Sequence, residues 1–233
     1  MPQLLWLVTG YSTGFGAEFS KQILQGGDKA SATARKVDSL NELKGPGAAV
    51  LQLDVTAPII ELKAKIEAAV GIYGRVDVLV SNAGYVQLGA VEDLGDNLVK
   101  TFVAETASLG YIRTLYIHPG HFRTEVTKHE KHTAILERKD SEKYQPMYDR
   151  MASFADQLHG SQQGDVRKAV ELTLDLVQGE GKMEGREIPS QMWMGSDGYA
   201  VVKAKCEEVL EVLGEWEEAI KGTKFEGLEG KAS

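Results

Sequence analysis

Near the N-terminus, Thr9-Gly10-Tyr11-Ser12-Thr13-Gly14-Phe15-Gly16 joins a short apolar run to a helical pattern. Glycines so spaced allow a tight turn, let a pyrophosphate approach the backbone and bring the helix close to a sheet. The helix start then offers free N–H groups and the positive end of its dipole to phosphate. A plain turn could hold three glycines too, so the motif alone decides little. Four of the five histidines, His118, His121, His129 and His132, fall within fifteen residues as two His-x-x-His pairs. An imidazole titrates near neutral pH and suits acid–base work. A metal site is not expected, because no acidic groups back the pairs and His129 and His132 sit in a highly charged run. Tyr199 and Lys203 have a Tyr-x-x-x-Lys spacing, which places both on one helical face but is easily met by chance.

The elements that must position these residues alternate along the chain. Leu4–Thr9, Lys29–Ala34, Val50–Val55 and Arg75–Ser81 read as short buried strands. Helical patterns over Gly16–Gln25, about Val37–Leu43, and Pro58–Val70 (apolar at Ile60, Leu62, Ile66 and Val70) separate them. A helix about Asp93–Leu109, a strand over Ile112–Ile117, a helix over Val166–Val177 and a short strand at Met192–Met194 continue the order. A long helix over Tyr199–Ile220 follows, with Val202, Cys206, Val209, Leu213 and Trp216 on one side, and the tail beyond Gly222 is expected to fray. The polar stretch Thr124–Gly164 reads as a lid-like excursion. Such βαβα alternation predicts a parallel sheet covered by helices on both faces, within one domain spanning 1–233.

Several motifs in order resemble the short-chain dehydrogenase/reductase family. They are the Thr-Gly-x-x-x-Gly-x-Gly turn, Leu53-Asp54-Val55-Thr56 after strand three, Asn82-Ala83-Gly84 after strand four, and Pro119-Gly120 followed by Arg123-Thr124. Gly195-Ser196-Asp197-Gly198-Tyr199 and the long acidic helix with Trp216 resemble the C-terminus of one fungal or bacterial branch. The resemblance covers nearly the whole chain and implies a Rossmann-type doubly wound α/β fold. By that resemblance Gly10, Ser12, Thr13, Gly14, Phe15 and Gly16 cradle the pyrophosphate and adenosine ribose of a dinucleotide. Asp54 bonds the adenine amino group with Val55 beside the ring, and Asn82, Ala83 and Gly84 support strand four and contact the cofactor ribose. Pro119, Gly120 and Thr124 lie at the nicotinamide end, with His118 and His121 flanking that element. At the end of strand two, where a carboxylate favours NAD, stands Thr33-Ala34-Arg35-Lys36. Two cations and no acid there select the 2′-phosphate of NADP, with Arg35 able to meet it in bidentate fashion.

The family's Asn, Ser, Tyr and Lys lie between strand four and the Pro-Gly element, and here that interval is short. Roughly 60 residues, two βα units of about 30 each, are read as deleted near Lys100–Phe102. One strand and one helix fewer than the family's full fold are therefore expected. Ile112–Ile117 is expected to take the vacated place beside strand four through a right-handed crossover. Among remaining residues His118 and His121 are the candidates for proton transfer, whereas Tyr85 and Tyr116 read as packing residues. The family's usual dimer surface uses helices of this region, so oligomeric state does not carry over.

Three functions stay open at this point. One is an NADP-dependent oxidoreductase by descent, acting on a carbonyl or secondary alcohol of a small molecule, with hydride transfer weak or absent in this sequence. The gap then reflects a skipped exon, a gene-model error or a chain shortened for expression. The second is a non-redox isomerase, cyclase or dehydratase using the same cleft, and the third a catalytically inactive NADP-binding protein. Bulk properties narrow the partners: a net charge of −8 argues against nucleic acid. The lone cysteine, Cys206, rules out an internal disulfide and suggests a reducing compartment. The opening apolar run lacks a basic flank and is too short for a signal peptide or membrane span, so a cytoplasmic location is expected.

Overall fold

The computed structural model describes residues 2–36, 48–84, 112–125 and 145–223. A four-stranded parallel sheet in the order β3-β2-β1-β4 forms from β1 (Leu5–Val8), β2 (Lys29–Ala34), β3 (Ala49–Gln52) and β4 (Val78–Val80). A second parallel pair joins β5 (Tyr116–Pro119) to β6 (Gln191–Met194), from Tyr116 beside Gln191 to Pro119 beside Met194. Six helices are described: α1 (Gly14–Gln25), α2 (Ile59–Tyr73), α3 (Gln145–Leu158), α4 (Val166–Gln178), α5 (Ser196–Glu215) and α6 (Glu217–Lys221).

The central strand is buried along its whole length between two parallel neighbours, and α1 and α4 cover the face that carries Trp6 and Val8. Trp6 and Val8 of β1 pack with Phe19 and Ile23 of α1, Ala30 of β2, and Val170 and Leu174 of α4. Each of the larger side chains here contributes about 1.5–3 kcal/mol by leaving water, and the Ala30 methyl less. On β2, Ala32 and Ala34 form a second cluster with Tyr11 and Ala48. Asp28, just before β2, pins the start of this unit. Its carboxylate accepts from Leu4 N (2.9 Å), the buried Trp6 indole Nε1 (2.9 Å) and Gln178 Nε2 of α4 (3.1 Å).

Strand ends differ from the sequence reading for local reasons. The third strand stops at Gln52, short of Val55. The Asp54 carboxylate accepts from Thr56 N (2.9 Å) and Thr56 Oγ1 (2.7 Å) and turns the backbone out of the sheet. The fifth strand is Tyr116–Pro119, not Ile112–Ile117, because its ladder runs against Gln191–Met194 and closes with Gly120 N donating to Met194 O at 2.8 Å. Among the described residues it pairs with β6, and the expected place beside β4 is not taken. In α2 the helix is present but the expected apolar stripe is not its buried face: Ile60 is 79% exposed and Ile66 52%, whereas Ala69 is buried. The long C-terminal helix breaks at Trp216, and Val209, Leu213 and Trp216 on its apolar side are exposed. The expected helix about Val37–Leu43, the helix about Asp93–Leu109, the junction near Lys100–Phe102 and the tail beyond Thr223 lie outside the described residues. So does 126–144 of the Thr124–Gly164 excursion, whose later part is α3. No described helix is long and apolar enough to cross a membrane.

Asp28→Ala should lower stability by about 1–3 kcal/mol, since the buried indole N–H loses its acceptor. For a domain of this size each kcal/mol lowers Tm by roughly 2–4 °C. A melting curve superimposable on the wild type would show that the carboxylate anchors nothing.

Candidate functional site

Parallel strands all point their C-terminal ends the same way, and the loops leaving those ends converge on one crevice. Here the loops after β1, β2, β3, β4, β5 and β6 all contribute to a single cavity of about 1360 Å³. Its shape is set first by a knot between β1 and β4. Thr9 Oγ1 accepts from Asn82 N (3.0 Å) and Ala83 N (2.9 Å) and donates to Val80 O (3.2 Å). The Asn82 amide donates to Thr9 O (2.9 Å) and Gly10 O (3.0 Å). Asn82 thus orders the glycine turn directly, by binding its carbonyls.

Two glycines in that turn have steric reasons. Gly10 has φ +70°, and a Cβ on it would lie 2.7 Å from Ala83 Cα. A Cβ on Gly16 would meet Gly10 O and lie 2.6 Å from Asn82 Nδ2, so any side chain would drive α1 off the strand ends. The helix begins after Thr13, whose side chain makes no capping bond, and its first turn carries no acid. A helix start without a capping side chain or an acid of its own in the first turn suits an anion.

Gly10, Ser12, Thr13, Gly14 and Phe15 line the cavity beneath this turn, and Arg35, Asp54 and Val55 line it beyond β2 and β3. Asn82, Ala83 and Gly84 line it after β4, and Pro119, Gly120 and Thr124 after β5. Of the cofactor-binding candidates read from the sequence, Gly16 and Lys36 stand apart from the lining: Gly16 acts through the close approach of α1, and Lys36 is exposed. The Asp54 carboxyl lies below its usual range, chiefly through the N–H of Thr56, then its hydroxyl, with Arg35 adding a smaller attraction.

Both histidine candidates line the same cavity, in different settings. His118 stacks on Trp193 (ring centroids 4.9 Å, 11° between planes) and against Tyr116 (4.0 Å), and its Nε2 lies 3.2 Å from Gln191 Oε1. Tyr116 is thus a packing partner of His118. His121 forms a pair the sequence reading missed: its Nδ1 lies 2.7 Å from Asp197 Oδ2, and its backbone N–H donates to the same oxygen at 2.7 Å. Asp197 opens α5, and its carboxyl is held below the usual range, first by the His121 N–H and then by the N–H of Gly198. The signal for it was available, since an acid in Gly195-Ser196-Asp197-Gly198 follows directly on a strand end. Phe122 fixes the loop from below: it is buried, packs with Ala169 and Met194, and meets Phe15 edge to face at 5.2 Å.

Tyr199 and Lys203 do not line the cavity: Tyr199 is 64% exposed and Lys203 pairs with Glu207 at 3.7 Å. Among the described residues no group of three or more His, Cys, Asp or Glu stands ready to hold a metal, and His129 and His132 lie outside them, as does Tyr85.

A family model described as short chain dehydrogenase matches residues 5–112. Oxidoreductase BOA17 of Botryotinia fuckeliana is 36% identical over 94 residues, which is 39% of this chain and 34% of the relative. The NADP-dependent 3-hydroxy acid dehydrogenase YdfG of Escherichia coli is 38% identical over 86 residues, 35% of this chain and 34% of the relative. The chain thus matches about a third of the length of these curated relatives. A short-chain dehydrogenase from Streptomyces avermitilis superposes with a TM-score of 0.73 at 25% identity, covering 96% of this chain and all of that one.

The Asp197 contact predicts a pH dependence. Its folded pKa lies below the unfolded one, so its stabilisation is present above the ordinary carboxylate range and is lost as pH falls through the folded value. Asp197→Asn should therefore melt below the wild type at pH 7, with the gap closing towards pH 3. A gap of equal size at both pH values would mean that charge plays no part in this contact.

Proposed function

Because this chain belongs to the short-chain dehydrogenase/reductase family, we propose that it binds NADP(H) in the cavity at the strand ends as an oxidoreductase by descent. The observation that carries this reading is the glycine turn beneath an α1 start free of side-chain cap and first-turn acid. That cradle fits a pyrophosphate. Arg35 at the end of β2, lining the cavity where NAD-preferring proteins place an acid, favours the 2′-phosphate. The NADP dependence of YdfG supports the same choice. Thr13, Gly14 and Phe15 would hold the pyrophosphate, Arg35 the 2′-phosphate, and Asp54 and Val55 the adenine. When bound there, NADPH would supply a hydride for a carbonyl carbon.

Proton delivery to the resulting alkoxide would fall to this chain's own groups. The Ser, Tyr and Lys expected of the family are read as missing with the segment near Lys100–Phe102. General acid–base help is typically worth 10²–10⁴-fold, so hydride transfer to a small carbonyl compound is proposed to be weak or absent. A second reading is favoured by one specific contact, the His121–Asp197 pair in the cavity wall. A carboxylate on Nδ1 fixes the imidazole so that Nε2 can take and return a proton. That suits an isomerase, cyclase or dehydratase in the same cleft, with His118 as the alternative base.

A thermal melt of the chain without ligand, with NADPH and with NADH tests the main reading. Saturation at 100-fold over Kd adds about 2.7 kcal/mol, a rise of roughly 5–10 °C. The rise should be larger with NADPH, and Arg35→Ser should erase the difference between the two cofactors. A cooperative melt indifferent to both would remove the cofactor reading altogether. Turnover of a metabolite with unchanged NADPH absorbance, lost in His121→Ala or His118→Ala, would select the second reading.

A further inference from the structure

Helix α3 turns one stripe to the cavity: Met147, Arg150, Met151, Phe154, Ala155 and Leu158 all line it. Spacings of three and four make this a single helical face. Five members are apolar or small, and the sixth is a guanidinium. Trp193 of β6 with Val201 and Val202 of α5 extends the apolar surface of the same cavity. Arg150 itself is exposed on this face, so its guanidinium is open to an anion that enters the cavity beside the apolar stripe.

Among the described residues lining the cavity, the two carboxylates are both already engaged within the protein. Asp197 is held by the backbone and ring of His121, and Asp54 by the N–H and hydroxyl of Thr56. The phosphate-binding turn belongs to α1, and Arg35 follows β2, so Arg150 is carried by a different element from either. Resting on the reading that a small-molecule substrate shares this cavity with a dinucleotide, we propose that the substrate is a carboxylate with an apolar body. Arg150 binds the carboxylate through its planar fork of donors, and Met147, Met151, Phe154 and Leu158 cover the hydrocarbon part. Arg150 is a specificity-determining residue in this scheme.

Octanoate and octan-1-ol, which share a chain and differ in the charged end, serve as probes. Binding to the full chain is measured by calorimetry with and without NADPH, for wild type, Arg150→Met and Arg150→Lys. Octanoate should bind at least about tenfold more tightly than octanol, as hydrogen bonds to charged groups are worth about 1.5–3 kcal/mol. Arg150→Met should lose about that factor for octanoate and leave octanol unchanged, and Arg150→Lys should recover part of it. Equal affinity for the two probes, no octanoate binding, or full octanoate binding by Arg150→Met would overturn the proposal. A loss of NADPH binding in Arg150→Met with octanoate unaffected would overturn it too, by placing the guanidinium on the cofactor. If octanoate binding depends on Arg150 while NADPH fails to bind, the cofactor reading falls and the carboxylate site stands.

Discussion

The hydroxyl of Thr9 is the point on which the site is hung. It bonds Asn82 N, Ala83 N and Val80 O, and so locks the end of β1 to the end of β4. The Asn82 amide then grips the carbonyls of Thr9 and Gly10. With those two carbonyls fixed, the turn has one path to α1, and only a residue without a side chain fits at positions 10 and 16. The crevice floor, the exposed α1 N-terminus and the edge-to-face meeting of Phe15 with Phe122 all follow from that placement. A hydroxyl and an amide, both partly buried, thereby determine where a phosphate could approach.

Much of this was legible in the residues, because the physics involved is local. The apolar run of β1, the glycines after it, the helix of α1 and the bounds of β2 depend on short-range pattern and backbone freedom. Residues named from motifs, such as Asp54 and Pro119, came together in one cavity because every motif sits at the C-terminal end of a strand. What escaped was non-local. That Asp197 meets His121, across 76 residues, depends on β5 pairing with β6 and bringing their two ends side by side. The stripe of α3 was readable as a period in Met147, Met151, Phe154 and Leu158, yet it was hidden in a polar stretch whose average character suggested a loop. The burial of α2 was misjudged because periodicity gives a helix and its apolar side, not the surface that will meet it.

Charge divides the cavity into two ends with different tasks. Arg35 and Asp54 stand at one end, where their mutual attraction helps keep the Asp54 carboxyl ionised. His121, Asp197 and the stripe of α3 stand at the other, where apolar side chains dominate. The cavity therefore has a polar end and an apolar end.

The core of the first sheet has a consequence for how the protein is made. Trp6 and Val8 are covered by Val170 and Leu174, and Asp28 is bonded by Gln178, so the opening residues are sealed by a helix from the last third of the chain. During synthesis at about 5–20 residues per second, the early strands must wait for that helix for roughly 10–30 s. Throughout that interval the tryptophan-bearing strand can pack against α1 and β2 but lacks the cover of α4. The core of the first sheet therefore closes only once α4 has been made.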